Sequence, residues 1–245
     1  MQSQKTLFMI HHLGLGDHII CAGMVRSLLD SEYSKVFLFC KSQYEQQIAR
    51  LYADEHRVVL VPIPPHQDEL SFATSYFRQN MIDMSVFCAI GFDKWQSVVA
   101  EGKAKTFDEA FYVLSGVSYD NRWDRFKLVR NRESEQRVFR KLNPNNDPYI
   151  FVHDDLHRGY TFDVENPNNR KIIKNDPTES IFDMITILAE AEEIHCMESS
   201  IRCFIDHLPE ISCPLYMHVG FRPDGHGESI RAGSRRNWTI VQHRR

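Results

Sequence analysis

The sequence is short of several features that would place it at once. Its 245 residues carry 29 Lys and Arg against 33 Asp and Glu, a net charge of −4, so no surplus of one sign draws the whole protein toward nucleic acid. No apolar run approaches the ~18–20 residues that a membrane-spanning helix needs. The first apolar stretch, Thr6 to Ile10, stops at His11 and His12, too short for the core of a secretory leader. The six cysteines form no CxxC pair, and most lie inside apolar runs such as VFLFC and MSVFC, where Cys behaves as a small buried hydrophobe. That usage fits reduced thiols in a cytoplasmic protein. No short-period repeat, low-complexity tract or cofactor motif is visible, so a redox or decarboxylating enzyme is disfavoured. What is present is 42% hydrophobic residues, with 16 Phe, and 25% charged residues: material for one large core or two small ones.

Strand and helix patterns alternate along the chain. Continuous apolar runs at 7–10, 36–39, 58–61 and 84–90 read as strands, and 17–29 and 44–52 have helical spacing. Short apolar runs separated by helices indicate a parallel sheet covered on both faces. A charged helical stretch covers 106–142. The cluster Asn143-Pro-Asn-Asn-Asp-Pro148 follows as the expected linker. Strands then recur at 149–152, 171–173, 193–196 and 215–219, with helices at 179–191 and 199–208. Two α/β units are expected, 1–146 and 147–245, with a cleft between them. The basic tail, with Arg231, Arg235, Arg236, Arg244 and Arg245, reads as a solvated or disordered run.

Three segments could carry chemistry. The first is His11-His-Leu-Gly-Leu-Gly-Asp17, between the first strand and helix. Gly14 and Gly16 allow a tight turn and close approach of a ligand. A dinucleotide fingerprint would need a third Gly where Ile19 stands. Asp17 sits at the helix start, where its carboxylate would repel a pyrophosphate. It fits two roles there, helix cap or base at the mouth of a cleft. His11 and His12 could line the site beside it.

The second segment is Ile194-His-Cys-Met-Glu-Ser-Ser-Ile-Arg-Cys203, where Ser199 and Ser200 open a helix after a late strand. Exposed N–H groups, two hydroxyls and the positive end of the helix dipole suit a phosphate, although a single Ser cap explains one of the serines. Arg202 could face the cleft or pair with Glu198. The third segment is His153-Asp-Asp-Leu-His-Arg158, beyond the carboxyl end of a strand, the usual ligand side of open α/β sheets. His153, Asp154, Asp155 and His157 could bind a metal, but their spacing matches no strong metal signature. Arg158 suits a phosphate clamp. His218 and Arg222 could also face the cleft, and a solvated role fits Arg130.

These pieces resemble a known group. GLGDHIICAGMVRSLL is similar to the opening segment of two-domain, GT-B-fold glycosyltransferases of the bacterial heptosyltransferase kind, and EIHCMESSIRCFIDHL resembles the donor-site segment of fucosyltransferase-like enzymes. The resemblance covers some 35 of the 245 residues. It implies two Rossmann-like domains in a compact version, the N-terminal one on the acceptor side and the C-terminal one holding a nucleotide-sugar, with GDP favoured. It implies Asp17 as general base and Ser199 and Ser200 as contacts to the nucleotide diphosphate. In the fucosyltransferase-like pattern a Val-His pair is followed by Arg; Val152-His153 matches, but Asp154 and Asp155 stand where Arg is expected. The expected reaction is a metal-independent, inverting transfer with no cofactor, Asp17 assisted by His11 or His12, and closure about 143–148 excluding water. The acceptor could be a glycan, a lipid-linked sugar or a modified base, the last supported only by the basic tail. A non-catalytic nucleotide-binding module and a metal-dependent hydrolase using His153, Asp154, Asp155 and His157 are the alternatives.

Overall fold

A computed structural model of the chain describes residues 5–155, 159–221 and 233–243. These form two compact α/β units, Met1–Val129 and Arg130–Arg245. In the first, strands β1 (Lys5–Ile10), β2 (Tyr33–Lys41), β3 (Val58–Ile63) and β4 (Ser85–Ala89) make a parallel sheet in the order β3-β2-β1-β4. Its helices are α1 (Leu15–Ser31), α2 (Glu45–Leu51), α3 (Glu69–Asn80), α4 (Lys94–Ala100), α5 (Phe107–Ser115) and α6 (Asn121–Asp124). The second unit contains α7 (Arg132–Leu142), α8 (Ile185–Ala189) and α9 (Ser200–Ile205). Its strands are β5 (Tyr149–His153), β6 (Lys171–Lys174), β7 (Glu193–Met197), β8 (Leu215–Val219) and β9 (Trp238–Gln242), all parallel in the order β6-β5-β7-β8-β9.

The abundant Phe residues build much of the first core. Phe8 of β1 stacks on Phe37 of β2 with ring centroids 4.6 Å apart, and α3 lays Phe72, Tyr76 and Phe77 over this face of the sheet. Elsewhere α1 packs closely on α6: a Cβ on Gly23 would come within 1.9 Å of the Asn121 carbonyl oxygen. Beneath this contact Arg122 forms a fully buried ion pair with Asp108, which also accepts a hydrogen bond of 2.6 Å from the Tyr119 hydroxyl.

Four expectations change. The 106–142 stretch is not one helix. It breaks at Gly116, a left-handed C-cap with φ of +70°, and restarts at Asn131, whose side chain caps α7 through the Ser134 N–H at 3.1 Å. The chain divides after Val129, so α7 belongs to the second unit. The segment 143–148 is therefore no hinge between units. Asn143 is buried, its amide bonds the Asp147 backbone in both directions, and Lys171 Nζ reaches its side-chain oxygen at 3.2 Å. Finally, part of the basic tail is ordered: β9 adds to the sheet edge, and Arg236 donates to the Ile211 and Leu208 carbonyls.

Candidate functional site

Each sheet gathers polar residues at its carboxyl end. In the first unit the gathering begins with the short link between β1 and α1. The helix starts at Leu15, so Gly14 is its cap residue, Gly16 lies in the first turn and Asp17 is the third helical residue. From there Asp17 Oδ2 accepts the Gly14 N–H at 3.2 Å, the return half of a capping box. A Cβ on Gly14 would lie 2.7 Å from that same oxygen, which accounts for Gly at this position.

The surroundings of Asp17 are not those of a free carboxylate. Burial pushes its carboxyl up to about 6. The Gly14 N–H opposes the shift, the Asp108 charge adds to it, and Lys41 at the end of β2 offsets part of it. A carboxylate with this pKa is mostly ionised at neutral pH yet more basic than a free Asp, as a general base requires.

The two neighbouring histidines are engaged elsewhere. His11 is fully buried, donates from Nδ1 to the His12 carbonyl at 2.5 Å, and meets the His18 ring edge-on at 4.4 Å. Burial lowers its pKa to about 4 and holds that of His18 well below the ordinary imidazole range, so both are neutral. His12 accepts the Phe92 N–H at Nε2, 2.7 Å away, which commits its lone pair to the loop after β4. Gly91, with φ of +88°, leaves room for that ring: a Cβ there would come within 2.8 Å of His12 Cδ2. His12 thus holds two loops together, and its catalytic expectation finds no free nitrogen lone pair. The sequence reading missed Lys41, paired with Glu69 at 2.8 Å, and the α3 start beside it. An open pocket of about 630 Å³ lies there, lined by Asp68, Glu69, Ser71, Ser75, Arg78 and Phe92. The signal for it was the pair Asp68 and Ser71, which forms the α3 N-cap at 2.8 Å.

In the second unit, β5 and β7 are adjacent with His153 opposite Cys196, so the ends of both strands bring His153 and the Ser199–Ser200 turn to one edge. His153 Nδ1 pairs with Asn175 Oδ1 at 2.7 Å, and burial lowers its pKa, leaving a neutral ring. Ser199 Oγ accepts the Arg202 N–H at 3.3 Å as the α9 cap. That bond uses an oxygen lone pair and leaves the O–H available to donate. Ser200 is the first residue of the helix and half-buried.

Other expected members are not brought to this edge. Arg202 is 1% exposed; its guanidinium lies 3.2 Å from Asp206 and over the Trp238 ring at 5.9 Å, so it is a core ion pair and not a phosphate ligand. Asp154 is buried and paired with Lys174, and Asp155 exchanges backbone hydrogen bonds with Tyr160 at 2.9 and 3.0 Å. The proposed metal ligands therefore do not converge among the described residues. Arg130 pairs with Glu135 and Glu210. His218 bonds to two other histidines within the sheet. His157, Arg158, Arg222, Arg231, Arg244 and Arg245 lie outside the described residues.

No protein-family model and no curated protein matches this sequence. Solved structures match its fold. The glycosyl transferase family 9 protein of Veillonella parvula aligns with a TM-score of 0.58 at 10% identity, over 99% of this chain and 87% of its own. The ADP-heptose LPS heptosyltransferase II of E. coli gives 0.55 at 10% identity, over 97% and 90%. The iron-containing dodecameric glycosyltransferase TibC of enterotoxigenic E. coli gives 0.51 at 12% identity, over 90% of this chain and 59% of its own. At these identities the likeness is one of fold: the chain has the paired parallel-sheet α/β architecture found in these glycosyltransferases.

Proposed function

We propose that this chain is a glycosyltransferase that moves a sugar from a nucleoside-diphosphate sugar to an acceptor hydroxyl, with Asp17 as the general base. The observation that carries the reading is the Asp17 carboxyl, raised to about 6 by burial at the first strand–helix junction. The fold likeness, which extends over nearly the whole chain, supports it. In the reaction Asp17 takes the proton of the acceptor O–H as that oxygen attacks the anomeric carbon. The bond from that carbon to the leaving phosphate breaks, and its electron pair stays on the nucleoside diphosphate. Attack opposite the leaving group inverts the configuration.

The second unit supplies the donor-binding part. The Ser199 and Ser200 hydroxyls, with the N–H groups of that turn, would carry the negative charge that develops on the diphosphate, and His153 would contact the donor beside them. Removing a donor that acts in this way typically costs ~100–1000-fold in rate. Arg202 has no part in it. The reading needs no metal. GDP was favoured by the resemblance at the Ser-Ser segment, whereas two of the structures with this fold are named for ADP-heptose, so ADP-linked heptose joins GDP-sugars as a donor to test.

The experiment is a thermal-shift titration of the purified chain with ADP, GDP, UDP and CMP, with and without EDTA. A nucleotide at 100 times its dissociation constant adds about 2.7 kcal/mol to the native state. A shift for one diphosphate that EDTA leaves unchanged and that Ser199→Ala/Ser200→Ala abolishes is expected. Absence of a shift with all four nucleotides overturns the donor-site assignment.

A further inference from the structure

The second unit holds a chain of three histidines that the proposed reaction does not use. His195 on β7, His218 on β8 and His243 just beyond β9 lie on neighbouring strands. His195 Nδ1 is 2.9 Å from His218 Nε2, and His218 Nδ1 is 2.7 Å from His243 Nε2. At the inner end His195 Nε2 is 3.3 Å from Glu193 Oε2, and Glu193 pairs with Arg170 at 2.7 Å. His195 and His218 are buried. Tyr216 stacks on His195, Phe162 stacks on His218 at 3.8 Å, and Phe221 packs on His243.

The carboxylate sets every proton in this chain. Glu193 only accepts, so His195 carries its proton on Nε2 and its Nδ1 is bare. That nitrogen accepts from His218 Nε2–H, and His218 Nδ1 accepts from His243 Nε2–H. One tautomer, protonated at Nε2, serves all three rings. A single further proton enters at His243 Nδ1 without disturbing a link. A second must place two N–H groups face to face, at 2.7 or 2.9 Å, and break one link.

The far end of β9, paired to β8 along the backbone ladder, is also tied by this chain. Its near end is fixed independently: Arg236 donates to the Ile211 and Leu208 carbonyls, and Trp238 Nε1 to Asp206 at 3.0 Å. Its far end is held by His243, through the His218 link and a backbone bond to the Val219 carbonyl at 3.0 Å. Gly220, with φ of +97°, permits the approach; a Cβ there would meet the His243 carbonyl oxygen at 2.3 Å.

We propose that Glu193, His195, His218 and His243 form an acid-sensitive latch that holds the carboxyl end of β9 against β8 and releases it when the chain takes up more than one proton. Among the described residues, the charged and titratable groups against it are Glu193, Arg170, Cys213, Tyr216 and the histidines themselves, and Phe162 and Phe221 pack on the rings. Burial and the flanking imidazoles lower the His218 pKa to about 3, in keeping with a closed state that resists protonation. Opening frees the His218 ring to take a proton that the closed chain excludes. The net uptake of one proton makes the opening constant rise about tenfold per pH unit below ~6.5.

Hydrogen exchange on the whole chain tests this, independently of any transferase activity. After correction for intrinsic exchange rates, the amides of residues 240–243 should lose protection at least about fivefold between pH 7.5 and 5.5, while those of β1 and β2 stay constant. Nitrogen-15 spectra at pH 7.5 should show His195 and His218 protonated at Nε2. His218→Phe keeps the stack on Phe162 and removes both links, so it should leave those amides open and insensitive to pH. His243→Ala, at a half-buried strand end, should do the same with less demand on the core. Protection that is flat with pH in the parent chain overturns the proposal, as does a pH response that survives in both variants.

Discussion

Asp17→Asn separates a base from a helix cap, because the two roles predict opposite results. Asparagine keeps the oxygen that accepts the Gly14 N–H, so the capping bond of 3.2 Å survives the change. If capping is the whole role, activity stays near the parent value. If Asp17 is the base, activity falls ~100–10,000-fold, and stability moves the other way. The carboxyl is raised from 3.8 to about 6 on folding, so above pH 6 the folded state carries a charge that the unfolded chain holds more cheaply. A raised acid destabilises the fold above its folded pKa, and the penalty fades as pH falls through 6 toward 3.8. Two units correspond to about 3 kcal/mol as an upper limit at pH 8. Asp17 is only half-buried, and water reaching it reduces the gain on neutralisation to about 1–2 kcal/mol.

The pH profile of the unmutated chain supplies the companion measurement. A base with a pKa of about 6 is about 90% ionised at pH 7 and about 10% at pH 5, so kcat/KM should fall about tenfold across that range. An ordinary Asp would barely change there. Urea denaturation of Asp17→Asn at pH 8, together with its kcat/KM, decides the matter. A variant that is fully active, or one that is inactive and also destabilised, refutes the reasoning.

Other predictions follow from the packing around α1. Gly23→Ala drives a Cβ to 1.9 Å from the Asn121 carbonyl, which neither backbone can relieve cheaply; urea denaturation should show a loss of about 1–3 kcal/mol or more, and parent stability would mean that α1 and α6 are not in contact. Arg122→Met strands the buried Asp108 carboxylate and should cost about 3–5 kcal/mol, while the double change Asp108→Leu/Arg122→Met should recover most of it. Because the Asp108 charge raises the Asp17 pKa, the double variant should also move the acid limb of activity to lower pH; an unmoved limb would mean that Asp108 does not act on the base.

The sequence made the sheets legible for a physical reason. Parallel strands covered on both faces are continuous apolar runs, and β1, β2, β5 and β7 are such runs, with nearly every core position buried. The β9 strand escaped because it is an edge: Trp238 to Gln242 leaves much of its side-chain surface exposed and sits beside arginines, so it reads as tail. The α3 helix hid behind the proline cluster before it, although Asp68 signals its start. Arg202 was misassigned although its partner lies one turn ahead, at Asp206, where pairing at i and i+4 is expected on a helix. His195, His218 and His243 are separated by 23 and 25 residues, and only strand register brings them together.

The capping reading and the catalytic reading of Asp17 therefore need not compete at the level of geometry. A carboxylate in the first helical turn gains from the Gly14 N–H and from the positive end of α1. Were capping its only use, an exposed position would secure the same bond without desolvating the charge. Here burial outweighs the cap and leaves the acid near 6, in the shadow of a second buried carboxylate at Asp108. Under the proposed reaction, this cost at the first strand–helix junction would leave a carboxylate able to take a proton near neutral pH. The cap offsets only part of that cost, and the remainder is what a base poised near neutral pH would require. The loss of activity in Asp17→Asn, and not the loss of a cap, is therefore the result that decides between the two uses.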